Sequence, residues 1–129
     1  MSNRDIMKAI KANKQRRHSM TYQENYQKWV DFADLPDYLR QDLENMDEKT
    51  KEDAFYTNLE FGTAGMRGLI GAGTNRINIY VVRQATEGLA RLIESKGGNE
   101  KERGVAIAYD SRHFSPEFAF ESAAVLAKH

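Results

Sequence analysis

Val105-Ala106-Ile107-Ala108-Tyr109-Asp110-Ser111-Arg112-His113-Phe114-Ser115-Pro116-Glu117 is the stretch on which the fold reading turns. Its first five residues are a small apolar run, bounded by Gly104 and Asp110 and too short for an independent helix, so they read as a buried strand. The polar residues that follow form a loop at the C-terminal end of that strand, where open α/β sheets place their ligands. Ser115-Pro116-Glu117 then opens a helix, with serine as cap, proline at the first helical position and an acid in the first turn. Phe118, Ala119, Ser122, Ala123, Leu126 and Ala127 give that helix a small apolar face.

Working back toward the N-terminus, the same order repeats. Ile79, Val82, Ala85, Thr86, Leu89 and Ile93 stand at helical spacing between Ile77 and Glu94, with Asn78 as N-cap. That helix ends near Lys96-Gly97-Gly98, where glycine takes the left-handed position, and Asn99 to Glu102 reads as a polar surface loop. Before it, Leu59-Glu60-Phe61 and Leu69-Ile70 read as brief extended pieces, and Gly71-Ala72-Gly73-Thr74-Asn75 as a turn. Strand, loop, helix, strand, loop, helix predicts an α/β fold: an incomplete three-layer α/β/α domain with a mostly parallel sheet and right-handed crossovers. Because the pattern stops at Ala127-Lys128-His129, where another strand is due, the expectation is a truncated domain.

Residues 19–60 read as a helical preamble. Thr21 and Glu24 form a capping box for a helix with Tyr22, Tyr26, Trp29, Val30 and Ala33 on one face. Asp34-Leu35-Pro36 stops it and starts a second, with Asp34 as cap, Pro36 in the first turn and Tyr38, Leu39, Leu43 and Met46 as its apolar stripe. A third, from about Glu48 to Tyr56, is acidic at its start and buries Phe55-Tyr56 at its end. The domain expectation is therefore a helical N-terminal extension over 1–58 and the first part of an α/β domain over 59–129.

Composition excludes several function classes. The chain has 129 residues, 40% hydrophobic and 29% charged, with net charge +0 and no cysteine. That balance fits one ordinary domain or the opening of something larger, without disulfides or thiolate metal sites. Nowhere does a run approach the ~18 apolar residues of a membrane span, and no apolar segment follows the basic N-terminus as in a secretory signal. Arg4, Lys8, Lys11, Lys14, Arg16 and Arg17 face a single acid, Asp5, over the first 18 residues. No aromatic residue interleaves them to stack on bases, so they read as a solvated, partly helical leader rather than an RNA contact. A cytoplasmic protein with neither nucleic acid nor membrane as partner is the expectation.

The chemistry-bearing candidate is Phe61-Gly62-Thr63-Ala64-Gly65-Met66-Arg67-Gly68. Glycines at three-residue spacing let backbone approach a ligand, and arginine presents a planar fork of donors for phosphate or carboxylate. A plain turn with arginine on its solvated rim is the alternative reading. The spacing is not that of a dinucleotide fingerprint, and Thr74-Asn75 after Gly73 excludes a Walker-type loop.

Taken with Tyr109-Asp110-Ser111-Arg112-His113, and with Asn75-Arg76-Ile77-Asn78 and Gln84-Ala85-Thr86-Glu87-Gly88-Leu89-Ala90 between them, this segment resembles the start of the α-D-phosphohexomutases. The likeness runs over residues 20–129 and is strongest to the phosphoglucomutase and phosphopentomutase branch. It implies an enzyme of four domains that moves a phosphoryl group between sugar carbons through a phosphoserine and a sugar bisphosphate, with Mg2+ and glucose 1,6-bisphosphate as cofactors.

The family's serine, magnesium and sugar loops are absent from this sequence, so no catalytic nucleophile or metal ligand is assigned. Ser111 and Ser115 match none of them. By the resemblance, Arg67 holds the transferring phosphoryl group with Thr63 and the Gly65 amide in support. Asp110, Arg112 and His113 brace the cleft. The implied function is the front of a phosphoglucomutase-type enzyme acting on a sugar phosphate and inactive in isolation, with oligomeric state open. The alternatives are a phosphopentomutase fragment, or a standalone anion- or protein-binding module.

Overall fold

The computed structural model describes residues 2–6, 8 and 20–129. The chain divides into two compact units, His18–Asn78 and Met1–Arg17 with Ile79–His129. Of the basic leader, Arg4 lies in a helical turn and Lys8 is helical, while Lys11, Lys14, Arg16 and Arg17 lie outside the described residues.

The first unit is built on helices. Helix α1 spans Tyr22–Val30, and its Thr21 hydroxyl accepts from the Glu24 amide at 3.2 Å, as the capping box predicts. Ala33 lies beyond its end and is exposed, so it is not part of the apolar face. Helix α2 spans Asp37–Glu44 with Pro36, in extended geometry, as its N-cap and no side-chain cap. Proline therefore stands just outside the helix rather than in its first turn, and Asp34 is not the cap.

Helix α3, Glu48–Phe55, is capped by Asp47, which accepts from the Thr50 amide at 2.7 Å. Phe55 is fully buried, with Tyr26 and Trp29 edge-on to its ring at 5.6 and 5.7 Å. Such pairs add about 0.5–1.5 kcal/mol each beyond area burial. The neighbouring Tyr56, expected to be buried with it, is exposed. One residue along a helix turns the side chain by about 100°, so the two point to different faces. Leu39 and Leu43 complete this core, and the Tyr26 hydroxyl donates to the Leu43 carbonyl at 3.2 Å.

The glycine segment folds on itself. Strands β1, Phe61–Gly62, and β2, Gly65–Met66, pair antiparallel, Phe61 with Met66 and Gly62 with Gly65. Among the described residues, parallel pairing is confined to a single bridge between Ile70 and Ile77. The expected parallel sheet is thus not found, and the ordered strands are those of a hairpin.

The second unit packs α4, Ile79–Lys96, against α6, Ser115–Leu126. The α4 residues buried are Val81, Thr86, Gly88 and Ala90; of these only Thr86 belongs to the expected face, whose Val82, Ala85 and Leu89 are half-buried. Arg83 Nε meets Glu121 Oε2 at 2.6 Å, and the Thr86 and Ser122 hydroxyls stand 3.3 Å apart. Helix α4 ends as predicted, with Gly97 at φ 71°. The following polar segment is not a loop but a short helix α5, Glu100–Arg103.

Val105–Tyr109 corrects the central expectation. The segment has no strand partner among the described residues, and Val105, Ile107 and Tyr109 are 44%, 39% and 67% exposed. A strand is defined by the neighbour that takes its backbone hydrogen bonds, and apolar composition alone does not supply one.

Candidate functional site

The residues singled out from the sequence fall on two loops, one in each unit. Thr63, Gly65 and Arg67 belong to the first unit, and Asp110, Arg112 and His113 to the second.

In the first loop, Thr63 and Ala64 form the exposed tip of the β1–β2 hairpin. Gly65 takes φ 108°, a conformation that strains any residue with a Cβ, which is why glycine stands there. Arg67 leaves the hairpin into irregular backbone and is exposed. Among the described residues no acid pairs with its guanidinium. The loop therefore offers a fork of five donors on a short, turned backbone, which suits a phosphate or carboxylate.

Behind it lies a turn that carries more polar bonds than any sequence signal announced. Arg76 is 8% exposed, and its Nη2 donates to Asp53 Oδ2 at 2.7 Å. Asn78 Nδ2 donates to the Gly71 and Gly73 carbonyls, both at 2.9 Å. Gly73, at φ 131°, leaves only 2.5 Å between an added Cβ and the Ala54 carbonyl oxygen. This is a close approach that only glycine permits. Asn78 stands immediately before α4 as expected, but its side-chain amide ties down the turn. The signal available was two glycines followed by Thr74, Asn75, Arg76 and Asn78, a density of side-chain donors unusual for a solvated turn.

The second loop is closed by its own residues. Asp110 Oδ1 accepts from the Arg112 amide at 3.0 Å and Oδ2 from Arg112 Nε at 2.7 Å. The backbone hydrogen bond from Arg112, with the guanidinium beside it, holds the Asp110 carboxyl below its usual range. Ser115 Oγ accepts from the Asp110 amide at 3.1 Å, so this serine closes the loop and makes no cap bond to α6. Phe114, at φ 66°, occupies the N-cap position instead. His113 lies against it, ring centroids 4.1 Å apart. Arg112 is thus paired with Asp110, whereas among the described residues no acid pairs with Arg67.

Among the described residues no group of three or more His, Cys, Asp or Glu is placed to hold a metal ion. The residues described here do not fit a magnesium site, and no chemical step is assigned to one within them.

Residues 58–129 match the family described as phosphoglucomutase/phosphomannomutase, alpha/beta/alpha domain I. The chain belongs to this family. Its curated relatives narrow the likeness. A phosphoglucomutase of Staphylococcus epidermidis is 36% identical over 101 residues, which are 78% of this chain and 18% of that protein. A phosphoglucomutase of Staphylococcus aureus is 42% identical over 79 residues, 61% of this chain and 14% of the relative. One of Staphylococcus haemolyticus is 42% identical over 69 residues, 54% and 12% of the two chains. The chain therefore spans less than a fifth of the length of these relatives. No solved structure matches it.

Proposed function

We propose that this chain forms the front of a phosphoglucomutase-type enzyme that interconverts glucose 1-phosphate and glucose 6-phosphate through a phosphoserine and glucose 1,6-bisphosphate. The observation that carries the reading is Arg67, an exposed guanidinium just past a glycine hairpin, with no acid paired to it among the described residues. Phosphoryl transfer requires little covalent work from the protein, and depends mainly on positioning and on stabilising charge over the equatorial oxygens. Arg67 supplies two parallel donors to those oxygens, with the Thr63 side chain and the Gly65 amide alongside. By the resemblance, Asp110, Arg112 and His113 are positioning residues of the complete active site. In the complete enzyme Mg2+ would be held by other residues and would supply neutralisation of phosphoryl charge.

In this reading residues 1–58 are a helical extension and residues 59–129 open the catalytic domain of a cytoplasmic enzyme. The phosphoserine, metal and sugar loops are supplied by further chain, so residues 1–129 alone are inactive. A coupled assay tests both statements. In the complete enzyme, Arg67→Ala lowers kcat/KM by about a hundredfold or more, the scale of losing one charge-stabilising donor, and Arg67→Lys recovers only part. Unchanged turnover in Arg67→Ala, or turnover by residues 1–129 alone, refutes the reading.

A further inference from the structure

The segment that carries Arg67 is held at both ends by one turn. On the N-terminal side the Leu59 amide donates to the Thr74 carbonyl at 2.8 Å, and the Thr74 hydroxyl to the Thr57 carbonyl at 2.7 Å. On the C-terminal side the Ile77 amide donates to Leu69 at 2.8 Å, and the Gly71 amide returns a bond to Ile77 at 3.1 Å. Arg67 stands two residues before Leu69. The backbone between these ties has little freedom to move without breaking them.

The turn in its turn is fastened to two helices of the preamble. Asp42, in α2, accepts from the Ala72 amide at 2.7 Å through Oδ2. Gly71 makes room for that carboxylate, since an added Cβ would lie 2.8 Å from the same oxygen. From α3, Asp53 receives Arg76, while the Asp53 and Ala54 carbonyls accept from the Asn75 side chain and amide, each at 2.9 Å.

We propose that the α2–α3 pair is the seat of Arg67, and that Asp42 is a positioning residue acting on it through the 71–78 turn. The inference rests on the reading that Arg67 holds the phosphoryl group. It assigns to the helical extension a part in catalysis that its lack of chemistry-bearing motifs conceals. Asp42 touches no reacting atom. It fixes a backbone amide five residues beyond Arg67, and charge stabilisation depends on a donor's position to within a fraction of an ångström.

Amide hydrogen exchange on the 129-residue chain tests the seat itself. Asp42→Ala raises exchange at residues 61–71 about tenfold, the effect of losing one carboxylate-accepted hydrogen bond, while α4 and α6 keep their protection. Asp42→Asn, which retains an oxygen to accept from Ala72, restores the slow exchange. If Asp42→Ala fails to fold, Asp53→Asn loosens the same turn from α3 and raises exchange at the same amides. Unchanged exchange at 61–71, or a rise spread evenly over the chain, overturns the proposal.

In the complete enzyme Asp42→Ala lowers kcat about tenfold with KM nearly unchanged, and lowers it no further in an Arg67→Ala background. Equal losses in both backgrounds overturn a role exerted through Arg67. An Arg67→Ala enzyme with full activity refutes the phosphoryl reading instead, a result the exchange measurement does not share.

Discussion

Residues 71–78 and residues 104–113 use similar side chains, glycine, a small polar residue and one arginine, yet the Arg76 side chain is 10% exposed while that of Arg112 is 87% exposed. The first turn lies against α3 and takes its partners from residues about twenty positions away, among them Asp53 and Ala54. The second satisfies itself, Asp110 with Arg112 and Ser115, all within five residues. Long-range bonds between a turn and a helix fix the turn to the fold. Local bonds shape a loop without anchoring it, and they leave Val105–Tyr109 beside it exposed.

The sharpest way to break this contrast is a pair of glycine substitutions. Gly73→Ala combines backbone strain of about 1–3 kcal/mol with overpacking of about 1–3 kcal/mol against Ala54. Gly104→Ala, at φ 73° with nothing within 4 Å, incurs the strain alone. Urea unfolding of the two variants reads the difference, and equal losses would mean that the 71–78 turn is not packed as described.

Next in size is the arginine partner. Asp53→Asn leaves the Arg76 charge buried without its counter-ion and costs about 1.5–3 kcal/mol. Asp110→Asn, exposed beside Arg112, shifts the urea midpoint far less than Asp53→Asn does. Limited trypsin digestion sharpens the same point without mutation: cleavage after Arg103 and Arg112 precedes cleavage after Arg76, as mass spectrometry of early fragments will show.

The smallest effects are protonic. The Asp110 carboxyl is held below its ordinary 3.8, so its contribution is present above that value and fades as pH falls through the lowered one. His129 runs the other way. Glu87 and Glu94, each 3.0 Å from one of its ring nitrogens, raise it above 6.5. Its contribution is complete below 6.5 and is lost as pH rises through the raised value. An NMR titration of His129 that falls part-way toward the ordinary value in Glu87→Gln, and further in Glu87→Gln with Glu94→Gln, checks the assignment.

Much of the helical architecture was legible, because caps and apolar spacing are local: Thr21 with Glu24, the acid-rich start of α3 and Gly97 at the end of α4 all stand where their chemistry places them. Glycine and arginine at Gly65 and Arg67 likewise marked the exposed loop. What could not be read were pairings over distance. Nothing in Asn75-Arg76-Ile77-Asn78 names Asp53 as a partner, and no run of small apolar residues states whether a neighbouring strand will meet it. Val105–Tyr109 has the composition of a buried strand, but its burial depends on a second segment, and that is not a property of five residues.

Gly73 also has a bearing on the gene. Every missense change available to a glycine codon by one base adds a side chain, and at this position the first carbon already meets the Ala54 carbonyl. In a saturation library selected for folded protein, codon 73 would keep its synonymous spellings and little else. Codon 104, equally glycine, would tolerate a wider set.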